Sequence, residues 1–136
     1  MTGTDGGQPH GFTCQAFCSL SLDPPMVAIA PGKRSVSWPH VAKAGVFCVN
    51  ILSEDQESLS RDFAVSGGDK FAGVGWHPAS NGAPLLEGVL AWVECTVAAS
   101  YDAGDHEMVF GRVEDMGVNV GRPLLFYRGG FGTFSP

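Results

Sequence analysis

Apolar and polar positions alternate in short runs along this chain, and no apolar stretch is long. From Gly11 to Leu22, Phe12, Cys14, Ala16 and Cys18 fall on one face and Thr13, Gln15, Phe17 and Ser19 on the other, which predicts a strand. Asp23-Pro24-Pro25 ends it, because proline cannot donate to a central ladder. Met26 to Ala30 is a short apolar run, read as a buried strand that Pro31-Gly32 turns. Ser37 reads as a helix N-cap with Pro39 in the first turn, and the helix runs to about Lys43 before Gly45. Val46 to Leu52 is the most strand-like segment. Ser53 and Gln56 have the spacing of a capping box, Leu59 and Phe63 then recur at helical spacing, and Gly67-Gly68 stops that helix.

The remaining segments are less regular. Residues 1–10 read as a turn or a frayed start, and residues 73–88 as an irregular loop. Strands are expected near 89–101, 107–115 and 123–128, and Gly129-Gly130-x-Gly132 is read as a turn. The sum is one antiparallel, mainly β domain over residues 1–136 with two short helices, most simply a small barrel.

Composition narrows this picture. Hydrophobic residues at 44% and charged residues at 16% describe a globular chain. Nineteen glycines and nine prolines favour many turns over long helices. The net charge of −6 argues against general nucleic-acid binding, which rewards Lys and Arg. Cys14, Cys18, Cys48 and Cys95 form no C-x-x-C pair and no Cys/His knuckle, so they read as small buried hydrophobes rather than metal ligands. The expectation is no metal, no membrane span and a cytoplasmic location.

The chain has no G-x-S-x-G, H-E-x-x-H, Walker loop or G-x-G-x-x-G. Four places carry candidate chemistry. Lys33-Arg34-Ser35-Val36-Ser37 joins a buried strand to a helix start; it fits a phosphate site and a solvated basic turn equally well. His106, after Gly104-Asp105, is either a polar cap on a strand or a donor that orients a substrate ring. Asn50 inside an apolar strand is a structural clasp or a ligand contact, since a buried amide must be hydrogen-bonded. Lys70 sits beside a pocket or faces solvent.

Five segments in order, "GFTCQAFCSLSLDPPMVAIAP", "FCVNILSEDQESLSRDF", "DKFAGVGW", "GDHEMVFGRV" and "RPLLFYRGGF", cover nearly the whole chain. Together they resemble the flavin reductase-like domain, the FMN-binding split barrel of two-component flavin-dependent monooxygenases. The likeness is to actinobacterial reductases that serve aromatic or steroid-ring hydroxylases. It implies FMN or FAD as flavin and NADH or NADPH as hydride donor. It also implies a homodimer with flavin at its interface, and a separate monooxygenase that receives the reduced flavin.

Carried onto this chain, Pro9, His10, Gly11, Phe12, Thr13, Gln15 and Ala16 would line the flavin ring and ribityl chain. Ala30, Pro31 and Gly32 would shape the pocket, and Lys33, Val36 and Ser37 would take the phosphate. Asp62, Phe63 and Lys70 would close it, with Asn50 a further contact. His106 would meet the nicotinamide, with Tyr127 and Arg128 at its border. The implied reaction is hydride transfer between two stacked rings, which needs positioning and no catalytic triad. A flavin-binding protein without turnover and a deazaflavin-dependent oxidoreductase are the alternatives. Relatives usually begin with a helix and a first strand that this chain is expected to lack, which would expose a sheet edge.

Overall fold

A computed structural model describes residues 1–136. Its strands are β1 (Thr2–Asp5), β2 (Gln8–Gly11), β3 (Phe17–Leu22), β4 (Pro25–Ile29), β5 (Val46–Ile51), β6 (Trp76–Pro78), β7 (Pro84–Leu86), β8 (Ala91–Ala103), β9 (His106–Val118), β10 (Leu125–Tyr127) and β11 (Gly130–Gly132). The helices are α1 (Trp38–Lys43) and α2 (Glu57–Ala64). Neither is long and apolar enough to cross a membrane.

Seven strands form one sheet in the order β2-β1-β5-β8-β9-β4-β3, and every ladder in it is antiparallel. β2 and β3 end the ladder without pairing with one another, so the sheet is open. Its spine is the β8–β9 hairpin, turned at Gly104 with φ +73°, a left-handed conformation that suits glycine. β5 pairs along one side of the hairpin and β4 along the other.

The expectations for β4, α1 and β5 agree with these bounds. Other expectations need correction. Residues 1–10 are a hairpin, not a frayed start: Gly6 and Gly7 turn at positive φ, and Thr2 is fully buried beside β5. The predicted strand 11–22 breaks at residues 12–16. Phe12 and Cys14 therefore pack on the core while Ala16 and Cys18 face solvent. The loop at 73–88 contains the β6–β7 hairpin, and the C-terminal glycine run supplies β11 opposite β10. Of the four cysteines, only Cys48 and Cys95 are buried. Burial pushes both of those thiols up to about 12.

The helix starts also differ from expectation. Ser37 precedes α1 but makes no side-chain cap; the hydroxyl of Ser35 accepts the Trp38 N–H at 3.1 Å instead. Only half of the capping box forms. Gln56 Oε1 accepts the Ser53 N–H at 3.1 Å, whereas the Ser53 hydroxyl turns to Asp55 and α2 begins later, at Glu57.

Two apolar clusters hold the layers together. The larger joins Val27, Ile29, Phe47, Val49, Cys95 and Val109 of the sheet to Trp38 and Val41 of α1. The smaller joins Phe63 of α2 to Phe71, Leu86 and Val89, with the Phe63 and Phe71 rings edge-on at 5.0 Å. Gly111 of β9 lets the sheet close over Phe47: a Cβ there would lie 2.6 Å from the Phe47 ring and 3.1 Å from Cys95 Cβ. Gly111→Ala is expected to lower the unfolding free energy by about 1–3 kcal/mol through overpacking. Gly132→Ala, where a Cβ meets nothing, is expected to change it by less than about 0.5 kcal/mol. Urea denaturation of the two variants measures the contrast.

Candidate functional site

After β2 the chain leaves the sheet and runs from Phe12 to Ala16 across the end of α2. The Thr13 N–H donates to Phe63 O at 3.1 Å, and its hydroxyl donates to Ser60 O at 2.7 Å. Gly11 permits this approach, since a Cβ there would fall 2.6 Å from the Phe63 ring. On the other side, β4 passes through Ala30, Pro31 and Gly32 into the basic turn. Main-chain bonds Lys33 N to Asp105 O (2.9 Å) and Glu107 N to Pro31 O (3.0 Å) pin that turn to the β8–β9 hairpin and set Gly32 opposite His106.

Between these two segments lies a cavity of about 480 Å³. Its walls include Phe12, Thr13, Gln15, Ala16, Ala30, Pro31, Gly32, Val36, Ser37, Phe63, Lys70 and His106. The fold thus brings twelve of the sequence-derived candidates to one space, although they come from five separate stretches of chain. Small-molecule sites run from roughly 300 to 1,000 Å³, so the volume suits a ligand of nucleotide size.

Lys70 anchors the cavity's edge. Its ammonium donates to Gly11 O and Phe63 O, both at 3.1 Å, and reaches the Ser37 hydroxyl at 3.5 Å. Burial holds its pKa below that of an ordinary lysine. His106 opens β9 with Nδ1 2.6 Å from Asp105 Oδ1. The imidazole beside it holds the Asp105 carboxyl below the usual carboxylate range. With Nδ1 engaged, Nε2 is the ring nitrogen left for a ligand, and it lies 3.7 Å from the Cβ position of Gly32.

Several candidates lie elsewhere. Lys33 turns outward and pairs with Asp102 of β8, while its neighbour Arg34, the other cation of the basic stretch, lines the cavity and has no ion-pair partner. Asp62 sits one residue before Phe63, about 100° round the helix; Phe63 is buried and Asp62 is exposed. Asn50 is a clasp between strands: its amide donates to Thr2 Oγ1 at 2.9 Å, and its Oδ1 accepts the Leu86 N–H at 2.9 Å. Tyr127 and Arg128 belong to the exposed β10–β11 hairpin and line neither cavity described here. That hairpin sits against α2, with Arg61 over the Phe131 ring at 4.7 Å. Pro9, His10 and Gly11 line an adjoining cavity of about 450 Å³ that shares Val36, Ser37 and Lys70 with the first.

The donor chemistry of the first cavity is specific. The main-chain N–H groups of Gln15, Ala16, Gly32, Arg34, Val36 and Ser37 have no acceptor within the chain. Added to Arg34 and the hydroxyls of Ser35 and Ser37, they make a wall rich in donors beside apolar Phe12, Ala30, Pro31 and Val36. A flat ring with acceptor edges and an anionic tail fits such a wall, because each unpaired N–H gains an acceptor on binding. Ser35 of the basic stretch also lines the cavity, and Cys14, Ala64 and Ser66 complete it; the part of these last three was hidden because it depends on where the turns send each side chain.

Comparison with known proteins bears on this geometry. The family model described as "Flavin reductase like domain" matches residues 1–135. The reductase subunit HsaB of a flavin-dependent monooxygenase from Mycobacterium tuberculosis is 47% identical over 131 residues, spanning 94% of this chain and 70% of its own length. The solved nitrilotriacetate monooxygenase component B from Mycobacterium thermoresistibile superposes with a TM-score of 0.95 at 46% identity, over 99% of this chain and 77% of its own. The NADH:FAD oxidoreductase SgcE6 of Streptomyces globisporus gives a TM-score of 0.91 at 34% identity, over 99% and 83%.

Asn50→Ala is expected to lower the unfolding free energy by about 1–3 kcal/mol, the cost of leaving the Leu86 N–H and Thr2 hydroxyl short of a partner. Chemical denaturation followed by circular dichroism checks this value.

Proposed function

The chain belongs to the flavin reductase like domain family, and from that premise we propose that it is an NAD(P)H:flavin oxidoreductase that supplies reduced flavin to a separate monooxygenase. The single observation that carries this reading is the cavity between residues 12–16 and the turn at 30–37. It combines unpaired main-chain donors, a free guanidinium and a half-exposed imidazole at one rim.

A flavin bound there would supply the hydride acceptor for a reduced nicotinamide and would carry the electrons onward as a diffusible or exchanged cofactor. The protein's own task is positional. Phe12, Ala30 and Pro31 provide apolar walls, and Gln15 and Ala16 offer N–H donors that favour negative charge on a bound ring. Arg34, Ser35 and Ser37 are assigned the phosphate, with Arg34 taking the role first expected of Lys33. His106, oriented by Asp105 through Nδ1, is assigned the nicotinamide carboxamide through Nε2. None of these groups has to gain or lose a proton for a hydride to move, which accords with a site that lacks a nucleophile–base pair.

The reading extends to assembly and place. Met116, Val118 and Val120 leave apolar side chains in water at 67%, 77% and 107% exposure, which suits burial against a second copy in a homodimer. Reduced thiols at all four cysteines suit a cytoplasmic setting.

The test is oxidation of NADH and NADPH, followed by absorbance, with and without FMN, FAD or riboflavin. Consumption that depends on added flavin is expected; none with any flavin would sink the reading. His106→Ala is expected to raise the KM for the nicotinamide nucleotide more than that for flavin, and an unchanged nucleotide KM would remove His106 from its role. Arg34→Ala is expected to weaken FMN about tenfold, near 1.4 kcal/mol, and riboflavin, which lacks the phosphate, by less than about twofold. Equal losses for both flavins in direct titrations would place the phosphate elsewhere.

A further inference from the structure

One buried side chain reaches three of the segments around the first cavity without lining it. Trp38 opens α1 and is 4% exposed. We propose that it is a positioning residue for hydride transfer, fixing the distance between the segment assigned the flavin ring and the hairpin tip assigned the nicotinamide. This deepens the reductase reading above and rests on it.

Three contacts place the indole. Toward residues 12–16 it meets the Phe12 ring edge-on, with centroids 6.3 Å apart and planes at 73°. Phe12 is itself an apolar wall of the cavity. Toward the turn at 30–37, the Trp38 main-chain N–H donates to the Ser35 hydroxyl at 3.1 Å. Toward the tip of the β8–β9 hairpin, its Nε1–H donates to Glu107 Oε2 at 3.4 Å. Glu107 follows His106 directly, and its own N–H bonds Pro31 O at 3.0 Å.

Both ends of this link are held from behind. Phe47, fully buried in β5, also meets the indole edge-on, at 6.3 Å and 73°. The Ser100 hydroxyl donates to the same Glu107 Oε2 at 3.0 Å. No Lys or Arg pairs with Glu107, so two neutral donors fix that carboxylate. A buried indole N–H needs some acceptor, and a main-chain carbonyl of the core would serve packing alone. The acceptor here is the side chain beside His106, which ties α1 to the nicotinamide side of the site.

Hydride moves between atoms roughly 3–3.5 Å apart, and a misplacement of about 1 Å can cost about a hundredfold in rate. A smaller shift of Phe12 relative to His106 therefore registers in turnover before it registers in affinity.

Steady-state kinetics with NADH, and with NADH carrying two deuterons at C4, test this on wild type, Trp38→Phe, Glu107→Ala and Glu107→Gln. Calorimetric titration of flavin, thermal unfolding and hydrogen exchange of the Trp38 indole N–H by NMR accompany them. Trp38→Phe is expected to lower kcat about tenfold, with the flavin Kd and the KM for NADH within about twofold of wild type. The deuterium isotope effect on kcat is expected to rise, because ring alignment then limits turnover. Glu107→Ala is expected to reproduce this loss, and Glu107→Gln, which keeps an acceptor for the indole, to recover most of it. The Trp38→Phe/Glu107→Ala double variant is expected to fall within about twofold of the slower single variant, since both remove one bond. In the flavin-free chain, the indole N–H is expected to exchange about tenfold faster in Glu107→Ala than in wild type, and to slow again in Glu107→Gln. An unchanged kcat and isotope effect in both Trp38→Phe and Glu107→Ala would overturn the proposal. So would unchanged indole exchange in Glu107→Ala, or a loss of kcat matched by an equal loss of flavin affinity, which marks a purely structural role. If Trp38→Phe fails to fold, the two Glu107 variants decide in the same terms. A wild-type chain that oxidises no NADH with any flavin would overturn the reductase reading and this inference with it; an active wild type indifferent to the substitutions would overturn this inference alone.

Discussion

An ammonium group drawn out of water must find acceptors, and Lys70 finds them at the ends of three elements. It bonds the last carbonyl of β2, a carbonyl in the final turn of α2 and the hydroxyl of Ser37 just before α1. Those elements share no sheet ladder with one another, so nothing in the regular hydrogen bonding sets their mutual distance. The lysine does, together with Thr13 against α2. Both cavities open along this join, and each has Lys70 in its wall. The cost of desolvating the cation is offset by these acceptors at a strand end and a helix end, of which Phe63 O also accepts the Thr13 N–H.

The site is therefore a seam between a stiff part and an adaptable part. The stiff part is the β8–β9 hairpin with β5 and β4 along its sides, packed through Phe47, Ile29 and Val109. It presents His106 at one tip and the Pro31-Gly32 turn beside it. The adaptable part is made of short segments with unpaired amides, residues 14–16 and 34–37 on one side and 66–70 on the other. Unpaired donors are a poor design for a closed core and a good one for a ligand that brings acceptors. On the function proposed above, this division would leave little for reactive side chains to do: the packed sheet would position one ring and the exposed amides would hold the other.

Much of this was legible beforehand. The strand-forming run at residues 46–52, the Pro31-Gly32 turn and Pro39 in the first turn of α1 reflect local preferences that tertiary packing did not override, although the cap passed from Ser37 to Ser35. The family likeness placed residues 12–13, 15–16, 30–32 and 36–37 at the flavin and His106 at the nicotinamide, and the fold does bring them to one cavity. What was illegible shares a cause. Lys33 and Arg34 are chemically alike neighbours, and only the pairing of Lys33 with Asp102, 69 residues away, sends one outward and leaves the other to the cavity. Asp62 and Phe63 are divided by the helix's rotation, and Asn50 is claimed by Thr2 and Leu86 from two distant strands.

By itself the sequence determined what short-range physics can determine: strand and helix type, the turns that glycine and proline require, an acidic and globular composition, and the family. Only the tertiary structure decided which of two adjacent cations faces the cavity, which cysteines are buried, and that His10 stacks on His40 in the wall of the second cavity. Those outcomes depend on contacts between residues far apart in the chain, where burial, ion pairing and stacking are settled together and no local pattern records the result.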